Sequence, residues 1–277
     1  MPVVKKILFP VDFSKRCIGA ARYVRAFASQ FGAEIMLLHV VETGDHYYPE
    51  VAQPHLERDL TAFLIDEFHD FQTLSNCIIG ATETKIVETA SSWRSDLIMM
   101  PTSGLGRYRR FLLGSITAKV LHDAECPVWT DIHSQETPTS ARIACKKVLC
   151  ALDLGERSRA VLDWAGWLAR EHQADLRIVH AAEAEAGPLE KYLDREFAAS
   201  GAAEARTRIA ELQGAAGTSA NVAMAQGKVS DVVTCAAKEW SADLLVIGRH
   251  NGSGLAGRLH QNAYSIIGES PCPVLSV

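Results

Sequence analysis

Lys5-Lys6-Ile7-Leu8-Phe9-Pro10-Val11-Asp12 returns later in the chain as Lys146-Lys147-Val148-Leu149-Cys150-Ala151-Leu152-Asp153. Leu37-Leu38-His39 returns as Ile178-Val179-His180, and both pairs share one offset of 141 positions (153 minus 12, 180 minus 39). Trp93-Arg94-Ser95-Asp96-Leu97-Ile98 is echoed by Trp240-Ser241-Ala242-Asp243-Leu244-Leu245, and Cys126-Pro127-Val128 by Cys272-Pro273-Val274, at offsets of 147 and 146. So small a drift across so many landmarks means a duplicated domain with short insertions. Residues 1–131 read as the first domain, 132–143 as a polar linker rich in Pro, Ser and Thr, and 144–277 as the second domain.

Length and composition agree. The chain has 277 residues, enough for two domains of ordinary size, each able to bury a core. Hydrophobic residues make up 48% and charged residues 22%, as in soluble globular proteins. A net charge of −5 lacks the basic footprint of a nucleic-acid partner. The longest apolar runs, such as Ile35 to Val41, are too short to cross a bilayer. No signal-peptide pattern opens the chain, so the expected location is cytoplasmic. Seven cysteines without a CxxC pair fit a reducing compartment, and Cys126 and Cys272 read as small buried hydrophobes.

Within each copy strand and helix signals alternate. Ile7 to Val11 is a short apolar run, as expected of a strand covered on both faces. Ser14 is placed to cap a helix ending at Gly32. Strands follow at Glu34 to Val41, Cys77 to Ile79, Leu97 to Met100 and Val128 to Thr130. Helices are expected over about Pro54 to Phe71, Glu83 to Trp93 and Ser115 to His122. The second copy repeats the series: strands at Val148 to Leu152, Leu176 to His180, Val222 to Ala225, Leu244 to Ile247 and Val274 to Val277, and helices at Arg157 to His172, Leu189 to Leu212, Ser230 to Trp240 and Ala263 to Glu269. The predicted class is therefore α/β: two tandem five-stranded parallel sheets with helices on both faces. The copies are expected to pair as a pseudo-dimer, with a homodimer as a further possibility. A ligand would sit off the carboxyl ends of the strands.

The segment that carries chemistry runs from Pro101 through Gly104, Arg107, Arg109 and Arg110 to Gly114-Ser115, ahead of a helix. Glycines let backbone approach phosphate, and a helix start offers unpaired N–H groups and a positive dipole end. Asp12 lies at the same rim and can accept from a ribose hydroxyl or a base amine. A plain structural turn remains the alternative. His39 and His180 end apolar strands and read as hydrogen-bonded core histidines. His46, Tyr47 and Tyr48 read as a polar loop, and Asp66, Glu67 and Asp70 as the polar face of a helix. The ten histidines include no pair at metal-ligand spacing with a nearby cysteine, so no metal site is expected. Nucleophile and Walker motifs are absent from the sequence, and no enzymatic activity is expected.

The Val-Asp-Phe-Ser of the first strand, Leu-Leu-His-Val-Val of the second, Asp-Leu-Ile of the fourth, Gly104 spaced nine residues from Gly114-Ser115, and the closing Cys-Pro-Val resemble the universal stress protein family, twice over nearly the whole chain. The resemblance implies a Rossmann-like, adenine nucleotide alpha hydrolase-like domain. Some members bind ATP and others do not; binders carry Gly, two residues, Gly, nine residues, then Gly with Ser or Thr. In the first copy Gly104, Gly114 and Ser115 match, while Pro101 replaces the first Gly and removes a backbone donor. The resemblance further implies that Pro10, Val11, Asp12, Val40 and Thr117 flank the nucleotide, ATP or a relative, with Mg as its companion ion. In the second copy Asp153 and Gly248 match, but the second Gly is Asn251 and the Gly-Ser step is His260-Gln261 or Gln261-Asn262. Two functions follow: a nucleotide-binding stress protein with a degenerate second domain, or a nucleotide-independent scaffold with an unidentified protein partner.

Overall fold

The computed structural model describes residues 2–42, 49–102, 113–131, 145–182, 194–249 and 257–277. Gly104, Arg107, Arg109, Arg110, His46 to Tyr48, the whole linker 132–143 and Asn251 lie outside the described residues. The chain divides into two compact units, formed mainly by residues 3–143 and 144–275.

The first unit contains β1 (Lys6–Pro10), α1 (Lys15–Phe31), β2 (Glu34–Val41), α2 (Pro49–Phe63), α3 (Ile65–Phe68), β3 (Thr73–Ile79), α4 (Thr82–Ser92), β4 (Leu97–Pro101), α5 (Ser115–Asp123) and β5 (Val128–Asp131). Its strands lie in the order β3-β2-β1-β4-β5. Each adjacent pair is parallel. Chain order reverses between β1 and β4, and that switch point opens a crevice at the carboxyl ends of the two strands. The second unit repeats the plan with β6 (Lys147–Ala151), α6 (Ser158–His172), β7 (Asp175–Ala182), α7 (Asp194–Ala216), β8 (Asn221–Gln226), α8 (Val229–Trp240), β9 (Leu244–Ile247), α9 (Gly257–Glu269) and β10 (Val274–Ser276). Its order is β10-β9-β6-β7-β8. Tandem parallel sheets of five strands, expected from the sequence, are what the fold contains.

Burial explains the apolar runs. Ile7, Leu8 and Phe9 of β1 are all 0% exposed, because helices cover both faces of a central parallel strand. Burying one such side chain contributes about 1.5–3 kcal/mol. On α1 the residues Ala21, Val24, Phe27 and Ala28 turn to the sheet. Phe27 packs edge-on against Trp129 of β5, with ring centroids 4.9 Å apart. α1 stops at Gly32, which adopts φ 60° and returns its N–H to the Ala28 carbonyl. Gln173 takes the same left-handed conformation after α6, at φ 52°. Since that conformation favours glycine, Gly32→Ala is expected to lower stability by about 1 kcal/mol, and Gln173→Gly to raise it by a comparable amount. Urea unfolding of both variants checks the opposite signs.

The repeated Trp and Asp landmarks close the amino-terminal rim of each sheet. Asp96 Oδ2 accepts the backbone N–H groups of Lys5 (2.7 Å) and Lys6 (2.9 Å). The Lys6 ammonium donates to the Trp93 carbonyl at 3.3 Å and lies 5.2 Å above the Trp93 ring. In the second unit Asp243 holds Lys146 and Lys147 at 2.8 and 2.9 Å, and Lys147 reaches the Trp240 carbonyl at 3.0 Å.

The helix expected over about 54–71 is two helices broken at Leu64, whose φ of −112° and ψ of 17° leave the helical region. With that break Leu60, Leu64 and Phe68 are all buried. Phe68 meets Phe9 edge-on at 6.3 Å. β3 starts at Thr73, earlier than Cys77: among the described residues it pairs with β2 alone, and as an edge strand it tolerates the mixed, largely unburied stretch Thr73 to Asn76. Ser14 does stand at the N-cap of α1, yet its side chain makes no capping hydrogen bond. Its hydroxyl donates to the Cys17 sulfur at 3.9 Å.

Candidate functional site

The carboxyl ends of β1, β2 and β4 bring most of the sequence-predicted residues to one rim of the first unit. Pro10 closes β1 and Val40 lies near the end of β2. The Val11 N–H continues the ladder by donating to the Leu38 carbonyl at 2.8 Å. Pro101 closes β4 and pairs with Asp131 of β5. Two hydrogen bonds fix the start of α5 to the end of β4. Gly114 N–H donates to the Thr102 carbonyl at 3.0 Å, and the buried Thr117 hydroxyl donates to the Pro101 carbonyl at 3.3 Å.

The opening of α5 is the anion-facing part of this rim. Gly114 is its N-cap, in extended conformation and with no side chain to satisfy the helix. Intrahelical bonding begins only with Ala118 N–H to the Gly114 carbonyl at 2.8 Å. The first-turn amides of Ser115, Ile116 and Thr117 therefore have no partner within the helix, and the exposed Ser115 adds a hydroxyl.

Across the switch point stands Asp12. Its turn is tight, with Phe13 at φ 57°, and Leu154 repeats that conformation at φ 61° in the second unit. Asp12 Oδ1 accepts Ser14 N–H at 2.9 Å and the Cys17 thiol at 2.9 Å, and Oδ2 takes neither. Partial burial pushes the Asp12 carboxyl up, but the hydrogen bonds from the Cys17 thiol and from Ser14 outweigh it and hold the group below its ordinary value. Burial, reinforced by the neighbouring Asp12 charge, pushes the Cys17 thiol up to about 12. His39 Nδ1 donates to the Val11 carbonyl at 2.8 Å, as His180 Nδ1 does to Leu152 at 2.7 Å. Both histidines are thus hydrogen-bonded braces of the first-strand ends, in line with their sequence reading. Phe13, the residue after Asp12, packs edge-on against His39 (4.6 Å) and Phe63 (5.3 Å).

Phe13 and Cys17 carry roles that the sequence reading did not assign. A signal for Cys17 was present: at the shared offset of 141 its counterpart is Ser158, whose hydroxyl donates to Asp153 Oδ1 at 2.8 Å. The acidic residues of the α3 region serve as ion-pair partners, Glu67 with Arg22 at 3.3 Å and Asp70 with Arg25 at 3.2 Å.

At the matching rim of the second unit, Asp153, Leu154 and His180 line a cavity of about 580 Å³ together with Glu204, Arg208 and Glu211 of α7. The phosphate end differs from that of the first unit. α9 starts at Gly257, so Gln261 and Asn262 lie beyond its first turn, where amides are bonded within the helix. No helix among the described residues is long and apolar enough to cross a membrane.

Comparison with known proteins agrees with the duplication. The profile of the Universal stress protein family matches residues 4–130 and again 144–277. A universal stress protein of Methanocaldococcus jannaschii is 28% identical over 138 residues, covering 45% of this chain and 79% of that protein. Universal stress protein A homolog 1 of Coxiella burnetii is 31% identical over 137 residues, covering 48% of this chain and 95% of that protein. Among solved structures, a universal stress protein from Archaeoglobus fulgidus has a TM-score of 0.68 at 19% identity, covering 98% of this chain and 95% of that chain.

Proposed function

The chain belongs to the universal stress protein family, and from that premise we propose that it is a stress-response protein whose first copy binds an adenine nucleotide, ATP or a close relative. The observation that carries this reading is the meeting of two features across one switch point. One is a carboxylate with Oδ1 committed to its own turn, at Asp12. The other is a glycine-capped helix start whose first-turn amides lack intrahelical partners, at Gly114 to Thr117. A ribose or base donor would meet Asp12 Oδ2, and phosphate oxygens would meet the amides and the Ser115 hydroxyl. Pro10, Val11, Val40 and Pro101 would frame the adenosine between them. No cluster of three or more His, Cys, Asp or Glu among the described residues is placed to hold a metal. An Mg accompanying the nucleotide would be carried by the phosphates. The role is binding, with no catalytic group assigned.

The second copy keeps the Asp153 turn, but its helix start is displaced from the position of the Gly-Ser step. It is read as degenerate toward nucleotide. The scaffold alternative is favoured by one feature: the Gly114 N–H already bonds Thr102, and Pro101 has no N–H to replace it.

Thermal unfolding with and without ATP separates the two readings. A ligand at a hundred times its Kd adds about 2.7 kcal/mol. Millimolar ATP is therefore expected to raise the melting temperature by several degrees. An unmoved melting temperature would leave the scaffold reading standing.

A further inference from the structure

We propose that Cys17 is a positioning residue for ligand binding in the first copy: its thiol donates to Asp12 Oδ1 and thereby presents Oδ2 to the nucleotide. The inference rests on the nucleotide reading above and deepens it. Cys17 is 1% exposed and lies on the buried face of α1, where a cysteine would ordinarily be a small core side chain. Its surroundings are instead polar. The sulfur receives the Asp12 N–H at 3.5 Å and the Ser14 hydroxyl at 3.9 Å, and it donates to Asp12 Oδ1 at 2.9 Å. Burial keeps the thiol protonated throughout the physiological range, so it remains a donor.

The duplication supplies an independent comparison. In the second unit Ser158, also 1% exposed, occupies the position five residues after Asp153, as Cys17 does after Asp12. Its hydroxyl donates to Asp153 Oδ1 at 2.8 Å, beside the Gly155 N–H at 2.9 Å. The two copies thus differ in the donor atom, sulfur or oxygen, and agree in its position and in the carboxylate oxygen that receives it. Packing alone gives no reason for that agreement. A carboxylate pinned through one oxygen loses rotational freedom before ligand arrives, which reduces the ordering cost of binding.

The test compares the parent with Cys17→Ala and Cys17→Ser, reading the Asp12 carboxyl titration by carbon-13 NMR and the ATP affinity by calorimetry. His39, Lys15 and Arg16, the nearby titratable and charged groups, are unchanged across the series. Without the thiol, Asp12 is expected to titrate at higher pH and ATP to bind about three- to tenfold more weakly. Cys17→Ser, which copies Ser158, is expected to restore both to within about twofold of the parent, on the same hydrogen-bond grounds. If the alanine cavity impairs folding, Cys17→Val, similar in volume and lacking the donor, reads the same loss. An unshifted Asp12 titration in the alanine or valine variant would overturn the proposal, as would a serine variant that behaves like alanine. A parent that binds no ATP would remove the nucleotide role of Cys17 along with the proposed function, while a shifted titration in that case would still identify the thiol as the carboxylate's donor.

Discussion

Gly114→Val is expected to weaken ATP binding at least about a hundredfold. Gly114 is the N-cap of α5 and its backbone is tied to Thr102 at 3.0 Å, so it cannot withdraw to make room for a side chain. A β-branched residue there would stand over the first-turn amides that phosphate oxygens must reach. Losing two charge-assisted hydrogen bonds at roughly 1.5–3 kcal/mol each corresponds to about two to four orders of magnitude in Kd. The fold should tolerate the change, because Gly114 has φ −63° and ψ 147°, a conformation valine also adopts. Calorimetric titration of ATP beside thermal unfolding separates the effects: lost affinity with a near-parental melting temperature is the expected result. Unchanged affinity would place the phosphates elsewhere.

The largest expected stability effect lies at the opposite rim. Asp96→Ala removes the one carboxylate oxygen that accepts two backbone N–H groups, those of Lys5 and Lys6. Both amides belong to the entry of β1, the central strand of the first unit. A charged acceptor is worth about 1.5–3 kcal/mol per hydrogen bond, and partial exposure of Lys5 lets water replace some of it. The expected loss is about 2–4 kcal/mol on those grounds. Asp243→Ala is expected to cost the second unit a similar amount, since its carboxylate holds Lys146 and Lys147 at nearly the same distances. Urea unfolding of each variant measures it, and a loss below about 0.5 kcal/mol in both would show that the repeated landmark is not a fastener.

That landmark shows what was legible in the sequence and what was not. The recurrence of Trp93 and Asp96 as Trp240 and Asp243 was plain, but its purpose required coordinates, because the partners are backbone groups about 90 residues away. Central strands such as β1 and β4 could be read directly, since strands covered on both faces must be apolar throughout. β3 could be read only in part, because one side of it has no strand partner in its unit and polar side chains are tolerated there. The break at Leu64 had no glycine or proline to mark it. At the site, Asp12 and Gly114-Ser115 stood out by position: the acid ends the first strand, and the glycine-serine step opens a helix whose free amides suit phosphate. Cys17 did not, as a cysteine on an apolar helix face looks like core. Its identity as a donor emerges from the geometry around Asp12 and from the serine that replaces it in the second copy.

The central claim, one nucleotide site located in the first copy, is tested most directly by native mass spectrometry of the intact chain titrated with ATP. A single adenine nucleotide per chain is expected, retained in a variant disrupted at Asp153 and lost in Gly114→Val. Two nucleotides per chain, none at millimolar ATP, or one that survives Gly114→Val and disappears when Asp153 is replaced would contradict it.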